Sequence, residues 1–171
     1  MEWVSRSAEK LAGFLERLDI TIADTNCLDV GSSTGGFTQV LLQYGASHID
    51  AVDVGTDQLH PSLRSDYRVS SYEQTDIRDF AKTQHDPYDI IVCDASFISL
   101  TLILDSMIAL ANSETKMILL YKPQFEVGRT NLRKTGVPKD TKIVEEKMKQ
   151  FEDLLSLRDI EIINKEKSSL T

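Results

Sequence analysis

Cysteine is scarce in this chain, which has only Cys27 and Cys93 in 171 residues. Two cysteines are too few for the disulfide framework of a small secreted domain. The segment from Met1 to Arg6 also lacks the apolar core of a secretory signal. We therefore predict a cytoplasmic protein with both thiols reduced and not joined to each other.

Long apolar runs are absent as well. The best candidate, Leu102 to Ala111, is interrupted by Asp105, whereas a membrane helix needs roughly 18 or more apolar residues in succession. The sequence therefore predicts no transmembrane segment.

Positive charge is in deficit, with 19 Lys and Arg residues against 27 Asp and Glu residues and a net charge of −8. Such an acidic balance opposes indiscriminate binding to a phosphate backbone. Residues 122–142 are the exception, with six basic residues and two acidic ones. The connection from Gln124 to Pro138 is long, which is typical of a lid or binding loop, although a solvated, mobile connection is the alternative.

What the chain does have is a regular alternation of short apolar runs and amphipathic stretches, with 41% hydrophobic residues to fill a core. The runs predict strands at residues 26–30, 48–54, 67–70, 88–94, 116–121 and 160–164. The stretches predict helices at residues 7–18, 35–44, 58–64, 75–84, 98–111 and 141–157. Alternation of this kind predicts one α/β domain with a doubly wound, mostly parallel sheet of the Rossmann type.

A glycine turn, Gly31 to Phe37, follows the first predicted strand, at the sheet edge where ligands bind in folds of this type. Its glycines let the backbone approach a ligand closely, and the start of the next helix favours an anionic group. The dinucleotide fingerprint requires glycine at position 33, where this chain has Ser33. The turn thus argues against a pyrophosphate cradle, and a turn without any ligand is the alternative.

Three carboxylates follow other predicted strands. Asp53 lies 22 residues after Gly31, a spacing at which an acidic side chain can accept hydrogen bonds from a ribose diol. Asp76 and Asp94 are expected on the same rim, where grouped negative charge favours a polar or cationic ligand such as a sulfonium. Asp53 could instead be a solvated strand-end residue, and Asp76 could equally be the N-cap of a helix that begins at Ile77.

Lys122 follows the fifth predicted strand, and Pro123 ends the strand's hydrogen bonding there because proline has no backbone N–H to donate. In the usual doubly wound order, Lys122 is expected opposite Asp94. A Lys–Asp pair can position and deprotonate an alcohol, whereas a plain strand-end ion pair is the alternative. No metal is expected, because the three histidines are scattered along the chain. They are His48, His60 and His85.

Five blocks of sequence, taken in order, resemble the TlyA or haemolysin A family of FtsJ-like methyltransferases. The blocks are Val4–Leu11, Leu28–Thr38, Ala51–Gly55, Asp94–Leu100 and Lys122–Glu126. The resemblance implies an S-adenosylmethionine-dependent ribosomal RNA methyltransferase that acts on a ribose 2'-hydroxyl, with cytidine as the family's nucleotide. Ribosomal RNA or ribosomal subunits are the implied partners.

The resemblance also implies roles for individual residues. The family uses a Lys-Asp-Lys-Glu tetrad, of which the first three members fall on Lys10, Asp94 and Lys122. Lys122 is the implied base, and it must be neutral to accept a proton. The implied cofactor site consists of Gly31, Gly35, Phe37, Asp53, Asp76 and Asp94.

Two departures from the family pattern shape a further expectation. Family members carry a small S4-like RNA-binding domain before the equivalent of Trp3, and they continue past Thr171 into a glycine-rich loop, the tetrad glutamate and a last antiparallel strand. The resemblance thus implies a methyltransferase domain over residues 1–171 that is truncated at both ends, binds the cofactor and methylates RNA poorly or not at all. The open flank of the strand predicted at 160–164 would permit dimerisation.

Other classes of function remain as alternatives. A small-molecule O-methyltransferase would share the glycine turn and Asp53. A non-catalytic RNA-binding or assembly factor would keep the fold without needing Lys122. A membrane-active haemolysin would require an apolar helix or alternating lipid-facing strands, and the sequence pattern shows neither.

Overall fold

The computed structural model describes residues 2–168, which are divided between two compact units. The first unit takes in residues up to Ala95, together with 105–120. The second unit takes in residues 96–104 and 121–167.

The first unit is built on a five-stranded sheet with the order β3-β2-β1-β4-β5, and every pairing in it is parallel. The strands are β1 Asn26–Val30, β2 His48–Val52, β3 Val69–Tyr72, β4 Ile90–Cys93 and β5 Lys116–Leu119. The chain winds outward from β1 in one direction through β3 and then in the other through β5, which is the doubly wound arrangement. The predicted fold class is confirmed.

Helices follow the strands in alternation, as predicted. They are α1 Ser7–Leu15, α2 Gly36–Gln43, α3 Pro61–Arg64, α4 Ile77–Phe80, α5 Leu100–Ala109 and α6 Thr141–Leu157. Helix α3 starts at Pro61, a residue whose fixed φ suits a first helical position. Helix α4 ends at Phe80, before the predicted residue 84.

The core of the first unit explains why apolar and polar residues do not alternate along its central strands. Strand β4 is buried along its whole length, as is β1 beyond its first residue, as expected for strands covered on both faces. Helices α1 and α2 pack together on one of these faces. A Cβ at Gly36 would stand 2.9 Å from the backbone nitrogen of Ala8, so only glycine permits this close approach of the two helices.

The strand predicted at 160–164 is wrong. Helix α6 ends at Leu157, and the residues from Ile160 to the end of the described chain form no strand. The helix is closed by Asp159, which has φ +56°, and by a 2.9 Å hydrogen bond from Ile160 N to Leu155 O. A short apolar run does not make a stable strand without a neighbouring strand to pair with. The dimer expected through this segment stays a prediction.

Both cysteines are buried thiols, and the register separates them. Cys27 lies opposite Ile90, and Cys93 lies opposite Val30, so three residues of stagger, about 10 Å, hold them beyond the reach of a disulfide. Burial raises the pKa of the Cys27 thiol to about 11. Within residues 2–168, no helix combines the length and apolar character needed to cross a membrane.

Two buried carboxylates lie within the sheet of the first unit. Asp50 accepts a hydrogen bond from the Tyr88 hydroxyl through Oδ2 and contacts His48 Nε2 at 2.9 Å through Oδ1. Asp29 is fully buried and accepts a 2.7 Å bond from Thr38 Oγ1 through Oδ2, while its Oδ1 has no hydrogen-bond partner. Burial raises the pKa of Asp29 to about 7 despite the Thr38 hydrogen bond.

Replacing Tyr88 with Phe should lower the free energy of unfolding by about 1–3 kcal/mol, because it leaves a buried carboxylate oxygen of Asp50 without its donor. Tyr67→Phe is the matched control, since Tyr67 is 93% exposed and its change should stay within about 0.5 kcal/mol. Urea denaturation at neutral pH measures both. An equal loss of unfolding free energy in the two variants would show that the Tyr88–Asp50 hydrogen bond does not stabilise the fold.

Asp29 should make stability depend on pH. Its pKa in the folded chain, about 7, lies above the ordinary 3.8, so between these values the folded chain keeps a proton that the unfolded chain has released. The stabilisation is complete below the ordinary pKa and is lost as the pH rises towards 7, at about 1.4 kcal/mol per pH unit. Urea denaturation across this pH range gives the free energy of unfolding of the wild type and of Asp29→Asn. The difference between these two free energies should change with pH at that slope. Parallel curves would show that Asp29 carries no such proton.

Candidate functional site

The candidate site in the first unit lies where β1, β2 and β4 end. Gly31 has φ +77°, and a Cβ added to it would stand 2.8 Å from Ala95 Cα. Gly31 N donates to Val52 O at 2.9 Å, and Asp94 N donates to Val30 O at 3.1 Å. Glycine is thus required at position 31, because its neighbour at the end of β4 leaves no room for a side chain.

Asp53 closes the glycine turn. Its Oδ2 accepts a 2.8 Å hydrogen bond from Ser33 N, and its Oδ1 accepts a 2.7 Å bond from Gly55 N. Ser33 is thereby held at φ +49°, a conformation uncommon outside glycine. Each carboxylate oxygen keeps a second lone pair, so Asp53 can still accept bonds from two hydroxyl groups. The Ser33 amide is directed at Asp53, consistent with the predicted lack of a pyrophosphate cradle.

Gly35 and Phe37 are constrained by packing. Gly35 has φ +99°, and a Cβ there would stand 2.7 Å from Leu59 Cδ1 and closer still to Leu63 Cδ1. The ring of Phe37 is only 4% exposed and belongs to the core cluster beside α1. The turn therefore owes its shape to its neighbours in the fold, and it is formed before any ligand arrives.

Asp76 is the N-cap of α4. Its carboxylate accepts a 2.8 Å hydrogen bond from Arg78 N and pairs with the Arg78 guanidinium at 2.7 and 3.0 Å. The side-chain hydrogen bonds from Arg78 lower the pKa of Asp76. The capping alternative considered for this residue is confirmed, and its role towards a cofactor stays a prediction.

Asp29 is the residue of this region that the sequence interpretation missed. The negative charges of Asp94 and Asp53 add to the effect of burial in raising the pKa of Asp29, which places three carboxylates around the turn. The missed signal was a charged residue inside the apolar run 27–30, since a buried charge requires a specific partner. Among residues 2–168, no three His, Cys, Asp or Glu side chains are grouped as a metal site requires.

Lys10 is half-buried on α1. Helix α1 packs against α2, and the two approach closely where Gly36 leaves no room for a side chain.

Lys122 belongs to the second unit, where it lies beside the segment that follows β4. Its Nζ donates a 2.8 Å hydrogen bond to Ser96 Oγ and stands 5.9 Å from the centre of the Phe125 ring. Phe97 has φ +63° and is 91% exposed, and its ring centre is 5.1 Å from that of Phe125. The sequence interpretation did not single out Ser96 or Phe97, since their partners are more than 25 residues away.

The basic segment of the second unit is an internally hydrogen-bonded hairpin. Leu132 and Pro138 form an antiparallel bridge, and Arg133 N donates to Val137 O at 2.8 Å. Asn131 Nδ2 donates to Val127 O at 2.7 Å, so the base of the hairpin is held as well. Five basic side chains are exposed along or beside it. They are Arg129, Arg133, Lys134, Lys139 and Lys142.

Comparison with known proteins gives a consistent result. The model of the FtsJ-like methyltransferase family matches residues 3–171. The 23S rRNA (cytidine-2'-O)-methyltransferase TlyA of Campylobacter jejuni is 46% identical over 98% of this chain and 65% of its own length. The 16S/23S rRNA (cytidine-2'-O)-methyltransferase TlyA of Mycobacterium tuberculosis is 45% identical over 82% of this chain and 53% of its own length.

A solved structure is also similar to this chain in fold and in sequence. The crystal structure of a candidate hemolysin from Lactococcus lactis superposes with a TM-score of 0.84 at 37% identity, covering 92% of this chain and 76% of that one. The chain spans less than two thirds of the two curated relatives described above. With a family match over nearly its whole length and relatives at this identity, the chain belongs to the FtsJ-like methyltransferase family.

Proposed function

We propose that residues 1–171 carry an S-adenosylmethionine-dependent methyltransferase domain that acts on a ribose 2'-hydroxyl of ribosomal RNA. The observation that carries the proposal is the preformed glycine turn, closed by Asp53, in a chain of this family. The names of the Campylobacter and Mycobacterium relatives support ribosomal RNA as the acceptor, and cytidine as the nucleotide. Such a substrate also favours a cytoplasmic location.

The residues present fit the cofactor. Gly31 and Gly35 leave bare backbone at the turn, Asp53 retains lone pairs for a ribose diol, and Asp29 Oδ1 is a buried oxygen without a hydrogen-bond partner. The carboxylates around the turn favour a cation. When bound, S-adenosylmethionine supplies a methyl group on a positively charged sulfur. The residues proposed to hold it are Gly31, Gly35, Phe37, Asp53, Asp76 and Asp94.

The proposed chemistry is an in-line displacement in which the chain aligns the ribose oxygen with the methyl carbon at about 3 Å. Lys122 accepts the hydroxyl proton on Nζ, with Ser96 holding the amine in place. Asp94 directly follows Cys93, whose carbonyl accepts a 2.9 Å hydrogen bond from the amide of Leu120, two residues before Lys122. Asp94 and Lys10 of the first unit complete the proposed catalytic set, as the resemblance to the family implies.

The proposed RNA contacts lie in the second unit. The exposed basic residues of the hairpin offer positive charge to phosphate groups in a chain that is otherwise acidic. Phe97 offers an exposed aromatic face, the kind of surface on which unstacked bases of RNA bind. Ribosomal RNA or a ribosomal subunit is therefore the proposed partner.

Calorimetry should show that the chain binds S-adenosylmethionine and does not bind NAD. Gly35→Asp should abolish binding, and Gly35→Ala should weaken it more than about tenfold, because any side chain collides with Leu59 and Leu63 and strains the turn. Gly136→Ala is the control, since Gly136 also has positive φ but has no atoms within 4 Å of an added Cβ. Circular dichroism verifies folding. Unchanged affinity in Gly35→Ala would remove the turn from the cofactor site.

Lys122→Ala should reduce methyl transfer at least about 100-fold, the scale of a lost general base, without changing the affinity for S-adenosylmethionine. The assay is single-turnover transfer of tritiated methyl groups to ribosomal subunits with the chain in excess. Lys116→Ala, at the opposite end of β5, should retain the wild-type rate. Full turnover by Lys122→Ala would contradict the assigned role, and preferential methylation of catechols by the wild type would favour a small-molecule enzyme.

A further inference from the structure

Glu126 ends the Lys122–Glu126 block and has no part in the proposed chemistry, yet it makes a specific contact in the second unit. Its Oε1 accepts a 2.9 Å hydrogen bond from Leu100 N, and its Oε2 accepts one from the Ser99 hydroxyl at 2.5 Å. Leu100 is the first residue of α5. The carboxylate therefore sits at the start of a ten-residue helix, where free amides and the helix dipole favour negative charge.

The contact joins two segments that are distant in sequence. Residues 96–99 precede α5, and residues 122–126 follow the end of β5. The same two segments meet again where Lys122 Nζ donates to Ser96 Oγ and where the rings of Phe97 and Phe125 approach. Of these three links, only the one through Glu126 has two hydrogen bonds to a charged acceptor, which is the stronger class.

The link is not needed to cap α5 or to hold the second unit together. Ser99 Oγ already accepts a 3.1 Å hydrogen bond from Thr101 N, as an N-cap residue does. The turn Pro123–Phe125 contacts α6, and Tyr121 packs on Phe151 with ring centres 5.6 Å apart. Loss of the Glu126 carboxylate should therefore loosen the two segments locally while the unit stays folded.

We infer that Glu126 is a positioning residue: by tying residues 122–126 to residues 96–99, it fixes the Lys122 amine in the place from which it takes the proton. The inference rests on the proposed function for its catalytic consequence. A displacement of about 1 Å in a reacting group can reduce a rate about 100-fold. The cost of losing Glu126 should thus appear in the chemical step and not in cofactor binding.

The test compares Glu126→Ala, Glu126→Gln and the control Glu146→Ala, in which an exposed carboxylate of α6 is removed. Glu126→Ala should lower kcat about 100-fold, with the KM and calorimetric affinity for S-adenosylmethionine within about twofold of wild type. Glu126→Gln should recover most of the rate, because its amide can accept from Leu100 N and donate to Ser99 Oγ. Wild-type kcat in Glu126→Ala, or no recovery in Glu126→Gln, would overturn the inference.

Hydrogen exchange gives a readout that does not depend on activity. In Glu126→Ala, the amides of residues 96–101 and 122–127 should exchange faster than in wild type, while those of the sheet should be unchanged. Unchanged exchange in both segments would overturn the inference even if the rate fell. A wild-type chain that neither binds S-adenosylmethionine nor transfers a methyl group would instead overturn the proposed function, and the exchange data would still decide whether Glu126 holds the segments together.

Discussion

The close approach of backbone to backbone at Gly31 is the constraint on which the first unit's site depends. The ends of β1 and β4 lie so near each other that a single carbon at position 31 would collide with Ala95. The amides of Gly31 and Ser32 also donate to the carbonyl of Val52, so the ends of the three strands are joined at one edge of the sheet. The turn that follows is shaped by the packing of the sheet, so a ligand meets a surface already formed.

Charge is distributed around this edge in a way that packing alone does not explain. The carboxylate of Asp53 accepts hydrogen bonds from two backbone amides. Asp29 is buried, and one of its carboxylate oxygens has no hydrogen-bond partner. The negative charges of Asp94 and Asp53 also contribute to the raised pKa of Asp29. Such an arrangement is costly for the fold, since each ionised carboxylate makes the next harder to ionise. A cationic group at the turn would relieve that cost.

Features set by local sequence were predictable, and features set by distant contacts were not. Strand β1 was predicted with its observed bounds because an apolar run there is cut by Gly31, and α6 was predicted from its apolar stripe. Ile160–Asn164 shows the limit, since a short apolar run does not say whether a partner strand lies beside it.

The candidate site shows the same division. The positions of Asp53 and Asp94 followed from strand ends and spacing. The partners of Glu126 lie 26 and 27 residues away, and the tight contact at Gly36 depends on a helix that precedes the sheet. In each of these contacts the two partners are more than 25 residues apart, so local sequence patterns do not reveal them.

The burial of the two thiols has a practical consequence for studying this chain by spectroscopy. With its pKa at about 11, only about one Cys27 side chain in ten thousand is a thiolate at neutral pH, and the thiolate is the reactive form. Cys93 is fully enclosed in β4. A cysteine newly placed on the exposed hairpin, for instance at Lys134, would thus react with a maleimide dye far ahead of the native pair, and the hairpin could be labelled at that one site without first removing either native cysteine.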